Sequence, residues 1–134
     1  MNRLVDQTTF YVPGTIGGGN CAEAACATLF GIPLSDVPRF YNEDDPEPSY
    51  RYWRNFENFC FSQGYWVVRQ ERERIMEATY LASGSSARGC KHMVVMRNGE
   101  LFHDPHPSRA GLVKIEQTWL LVPLDPINFK KVTE

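Results

Sequence analysis

The stretch KHMVVMRNGELFHDPHP, residues 91–107, decides the fold. Two runs rich in strand formers, HMVVM (92–96) and ELFHD (100–104), flank Arg97-Asn98-Gly99. Asn and Gly tolerate positive φ, so the stretch predicts a β-hairpin and hence an antiparallel sheet. The length of the turn decides which side chains meet. A two-residue turn at Asn98-Gly99 pairs Arg97 with Glu100. His92 then faces Pro105, His103 shares its side of the sheet, and Asp104 points away. A three-residue loop pairs Met96 with Glu100 instead and sets His92 opposite Asp104 on one face, with Cβ atoms about 4.5–5.5 Å apart. Glycine at the third loop position suits the left-handed residue of that form, which is the register expected here.

Working outward, YWVVR (65–69), TYLAS (79–83) and WLLVP (119–123) read as further strands, and LVDQTTFYV (4–12) as a strand of β-branched and aromatic residues. A helix is expected from Cys21 to about Phe30, capped by Asn20 and stopped by Gly31 and Pro33. Ser35 is placed to cap a short turn, SDVPRF (35–40). RYWRNFENFCFSQG (51–64) reads as a helix with Trp53, Phe56, Cys60 and Gln63 at helical spacing and Gly64 as its stop. PGTIGGG (13–19), the acidic YNEDDPEPS (41–49), QERER (70–74) and GSSARG (84–89) read as loops or exposed turns. Helices first and strands later indicate an α+β fold, an N-terminal helix packed on a mainly antiparallel sheet.

The chain of 134 residues suits one domain, 1–134, with a core of its own. A net charge of −2 gives no electrostatic case for nucleic acid or an anionic membrane. No apolar run approaches the roughly 20 residues that span a bilayer. The opening MNRLVDQTTFYV lacks an apolar core of about 7–15 residues, so no secretory leader is expected and the cytoplasm is the default compartment. Oligomeric state leaves no mark in the sequence.

Four cysteines, Cys21, Cys26, Cys60 and Cys90, form no CxxC pair, which argues against a zinc cluster. Cys21 differs from the rest because it stands where GGGN (17–20) turns into a helix. Unpaired N–H groups of a first helical turn carry roughly +0.5 elementary charge, a field that favours a thiolate and holds an oxyanion. Gly18 and Gly19 let a substrate approach the backbone closely. The bland reading is a small buried hydrophobe that happens to begin a helix. A thiolate nucleophile needs a histidine, and the histidine an orienting group. His92 and Asp104 supply both in the expected register, while His103 faces away and His106 lies near the pocket rim. His92 also reads as a core histidine, and Asp104 before Pro105 as a turn residue. A metal site at His103, Asp104 and His106 is a further alternative, opposed by the stiffness of Pro105 and Pro107 and by the lack of a second ligand cluster. Trp53 is placed to line a pocket edge, though core packing explains its stripe equally well.

GNC-x-x-AA at a helix start, H-x-V-V, a short turn and HDPHP together resemble the papain-like cysteine peptidase superfamily. The pattern is most similar to its C39-like branch, and to short phage and bacterial proteins with GNC…HAVV…HDPHP…GL. The resemblance spans nearly the whole chain, from Gln7 to the last strand. It implies a papain-like fold and a peptidase or amidase using Cys21 as nucleophile, His92 as base and acid, and Asp104 as orienter. It implies no cofactor and no metal. The family places an oxyanion-hole glutamine about six residues before the cysteine. Here that position is Thr15, which leaves Gln7, or Asn20, for the role. Gly18, Gly19, Trp53 and His106 are the expected substrate contacts. The implied partner is a peptide or amide substrate. Two alternatives use the same scaffold: a thioesterase or acyltransferase, and a non-catalytic binding module such as a phage protein that inhibits a host enzyme.

Overall fold

The computed structural model describes residues 4–12 and 18–125. In chain order it contains α1 (Cys21–Phe30), a short 3-10 turn (Leu34–Asp36), α2 (Pro48–Ser62), β1 (Tyr65–Gln70), β2 (Thr79–Ser85), β3 (Lys91–Arg97), β4 (Glu100–His103) and β5 (Lys114–Pro123). The five strands form one antiparallel sheet in the order β1-β5-β2-β3-β4. The α+β class expected from the order of elements is therefore present.

The helix α1 is embedded, with Ala22 through Leu29 all buried. Its alanines allow this, because small side chains let neighbouring backbones approach on every side. It stops as a Schellman motif: Gly31 adopts φ 67°, its N–H donates to Thr28 O, and Ile32 N–H donates to Ala27 O. One side of the sheet meets both helices in a core that includes Phe40, Phe56, Leu81, Met93, Val95 and Trp119. Residues of alternate parity, Tyr80, Ala82, Val94 and Met96, form a second cluster on the other side. Of the stripe expected on α2, Phe56 and Cys60 are buried and Trp53 half-buried, whereas Gln63 is exposed and Phe59 takes part in the core.

Several expectations need correction. Residues 4–12 form no strand. Their backbone is held by other groups: Val5 N–H donates to Thr28 Oγ1, Gln7 N–H to Pro105 O, and Thr8 and Thr9 N–H to Asn20 Oδ1. High strand propensity is overridden here, because the segment lies beside loop and helix groups with no ladder to join. Asn20 precedes α1 yet makes no side-chain cap, because its amide is committed to that segment. Ser35 caps nothing; the 3-10 turn follows Pro33. The second helix begins at Pro48, a residue preorganised for a first helical position, rather than at Arg51. The strand β2 runs on through Gly84 and Ser85, shortening the expected loop. The loop expected at 13–19 lies outside the described residues at 13–17, Thr15 included.

The hairpin turn is the two-residue form, with Arg97 paired to Glu100 and Met96 to Leu101. Asn98 and Gly99 have φ of 53° and 83°, the positive pair that a type I′ turn requires. A bulge then intervenes, and Val95 pairs with His103. The extra residue is Phe102, which packs against the helix-side core, the side that Val95 and His103 also occupy. A one-residue slip exchanges sheet faces, and the bulge adds a second slip that cancels the first. The next residue, Asp104, thus returns to the side of His92 by a route different from the three-residue loop.

Candidate active site

Two cavities, of about 400 and 320 Å3, meet at Cys21 and His92, which line both, together with Tyr52 and Lys91. Volumes of this order suit part of a peptide or a small molecule. The larger lobe is bordered by Gln7, Gly18, Gly19 and His106; the smaller reaches Trp53 and Arg69. A substrate lying across both would have its central bond beside Cys21.

His92 opens β3 and is 4% exposed, and its Nε2 lies 2.6 Å from Asp104 Oδ1. Asp104, 1% exposed, also accepts the N–H groups of His106 at 2.9 Å and Gly111 at 2.8 Å. Burial alone would raise its carboxyl, but the hydrogen bonds from His92, His106 and Gly111 outweigh that and bring it down to about 2. Asp104 is thus an anion that fixes the His92 ring and leaves Nδ1 as the nitrogen for a reacting group. Gly111 adopts φ 72°, in the left-handed region.

Cys21 corrects the expectation of a depressed thiol. Burial pushes it up to about 11, against hydrogen bonds from the Met93 and Ala22 N–H groups and with a further push from the Glu23 carboxyl. Desolvation of the anion exceeds the help of the first-turn amides. The resting Cys21 side chain is therefore a thiol. Its contact with Met93 N–H places the sulfur against the peptide that follows His92.

Gln7 lies at the wall of the larger lobe and is buried at 8% exposure. Its Nε2 donates to Thr9 O at 3.0 Å, while Oε1 is buried without a hydrogen-bond partner among the described residues. One N–H of the amide remains for a ligand. Asn20 is differently employed: Oδ1 accepts two backbone N–H groups and Nδ2 donates to Thr8 Oγ1, so its amide is turned away from an oxyanion role. Gly18, Gly19 and His106 border the larger lobe and Trp53 the smaller, where it stacks on Trp119 at 4.8 Å.

The HDPH segment sends its donors three ways. His103 Nε2 faces Val5 O at 2.9 Å and Asp6 Oδ1 at 3.2 Å, Asp104 faces His92, and His106 Nδ1 accepts Ser108 N–H at 3.0 Å. Among the described residues no group of three or more His, Cys, Asp or Glu side chains could hold a metal ion.

Some participants escaped the sequence reading. Arg109 Nη1 and Nη2 grip both Asp6 carboxylate oxygens at 2.7 and 2.8 Å, and Nη1 also donates to Asp104 O. This clasp ties the Gln7 segment to the Asp104 loop across 103 positions, a separation no local pattern can announce. Arg88 and Cys90, at the wall of the larger lobe, left one usable signal: their place at a turn leading directly into His92. None of the four cysteines is in a disulfide, and among the described residues no helix is long and apolar enough to cross a membrane. Comparison with family models, curated proteins and solved structures finds no match to this chain.

Proposed function

We propose that the protein is a papain-like cysteine hydrolase that cleaves a peptide or another amide, as the resemblance of its motifs implies. The observation that carries the reading is the buried His92–Asp104 pair at 2.6 Å, behind a histidine that shares two cavity walls with a cysteine at a helix start. Because burial raises the thiol, His92 acts as general base during attack rather than in a preformed ion pair. The Cys21 proton passes to His92 Nδ1 as sulfur bonds to the carbonyl carbon. First-turn amides and the Gln7 N–H receive the oxyanion. The C–N bond then breaks, the imidazolium gives its proton to the departing amine, and a thioester remains. Water attacks it, losing a proton to His92, and the thiol and a carboxylic acid are released. Asp104 keeps the ring aligned and stays ionised throughout.

The raised thiol favours one rival, a papain-like binding module with an inert cysteine, acting for instance on a host enzyme. Iodoacetamide labelling with peptide mapping separates the two. The hydrolase requires Cys21 to react faster than Cys26, Cys60 and Cys90 near pH ~7, with that advantage lost in His92→Ala and the residual rate then rising with pH toward about 11. Slow, uniform labelling of all four thiols, unaffected by His92→Ala, refutes it. Product analysis with amine and water acceptors distinguishes hydrolysis from acyl transfer or thioester cleavage by the same residues.

A further inference from the structure

The β2–β3 turn is built to hold one cation over the larger lobe. Ser86 closes it, accepting Gly89 N–H and donating its own N–H to Cys90 O, and Gly89 takes φ 82°. Arg88 sits at the tip. Its side chain crosses to the loop after β4, where Nη1 donates to Ser108 Oγ at 3.3 Å. That hydroxyl also meets His106 Nδ1 at 2.9 Å, so the two loops join over the cavity mouth. The neighbouring cations are neutralised: Lys91 pairs with Glu116, and Arg69 with Glu71 at 2.5 Å. Arg88 has no carboxylate within ion-pair distance among the described residues, and no Asp or Glu lines either lobe.

His106 adds to this. Burial first, then the charge of Arg88, holds its imidazole below the usual histidine range, so at neutral pH the ring is uncharged. Ser108 N–H occupies Nδ1, which leaves the proton on Nε2 as a neutral donor.

We infer that Arg88 is a specificity-determining residue and that the larger lobe receives a carboxylate-bearing part of the substrate, an acidic peptide segment or a free carboxyl terminus. A guanidinium held, among the described residues, only by a hydroxyl keeps most of its donor fork for a carboxylate, which it binds in a bidentate manner. The inference rests on the hydrolase reading, since it names the substrate class of that same site.

The test compares two alkylating agents that differ in charge and share a leaving group, iodoacetate and iodoacetamide, at Cys21 of the full chain. In Arg88→Gln the iodoacetate rate falls about threefold to tenfold while the iodoacetamide rate holds, and Arg88→Glu lowers the ratio further. Rising salt narrows the difference between wild type and variants. Arg88 is exposed, so a urea midpoint equal to that of the wild type serves as the folding control. With quenched peptides, Arg88→Glu moves preference from acidic to lysine-bearing sequences. An iodoacetate-to-iodoacetamide ratio unchanged in both variants overturns the assignment and leaves the hydrolase standing. Loss of Cys21 selectivity toward iodoacetamide in the wild type overturns the hydrolase, and the ratio still reports on Arg88.

Discussion

Asp104→Asn tests the electrostatic core of the site. The carboxylate holds three donors at once: His92 Nε2 and the N–H groups of His106 and Gly111. These bring it from 3.8 to about 2, which at about 1.4 kcal/mol per tenfold change in proton affinity is worth about 2 kcal/mol. The folded-state value lies below the unfolded one. The contribution is therefore fully present above about pH 4 and is lost as pH falls through about 2. Asparagine keeps one acceptor oxygen and turns an NH2 toward a donor, leaving a buried N–H unpaired at a cost of about 3 kcal/mol near neutrality. Urea unfolding of both proteins across this pH range reads the difference. The gap between wild type and variant should be about 3 kcal/mol near neutrality and shrink by about 2 kcal/mol on acidification, other titrating groups cancelling. Parallel stability curves, with a constant gap down to the lowest pH, would refute the reasoning.

Three further outcomes are expected. Gly84→Ala places a Cβ 2.0 Å from Lys114 O at the irregular β2–β5 pairing, so thermal unfolding should show a loss of about 3 kcal/mol or more. Asn20→Ala removes the acceptor of Thr8 and Thr9 N–H, and hydrogen exchange should report faster exchange at both amides with a global loss of about 2 kcal/mol. Glu23 is buried and its carboxyl raised, chiefly by that burial; its stability contribution is complete below the ordinary value of 4.5 and declines as pH rises through the raised value. Glu23→Gln should flatten that decline in denaturant titrations above about pH 4.5.

The parts legible in the sequence are those with short-range causes. Asn98-Gly99 announced a hairpin because two successive positive φ angles demand such residues. Gly31 announced the end of α1 because a left-handed cap excludes most side chains. Cys21, His92 and Asp104 stood out by residue type and local setting. The meeting of His92 and Asp104 did not follow from the expected turn: a two-residue turn plus the Phe102 bulge reached the same face by adding two slips. A bulge is settled by packing on both sides of the sheet, which a local pattern does not contain.

Sequence by itself determined the two α-helices, the five strands of the sheet, the hairpin, and the side chains able to carry acyl-transfer chemistry, since backbone propensity and functional groups belong to residues and their immediate neighbours. Tertiary structure alone decided the β1-β5-β2-β3-β4 order, the unpaired course of residues 4–12, the Asp6–Arg109 clasp and the protonation of Cys21. Desolvation depends on every atom that displaces water from a site. A helix start that favours a thiolate in open solvent therefore holds a thiol here, where the packed chain leaves the half-buried sulfur poorly solvated.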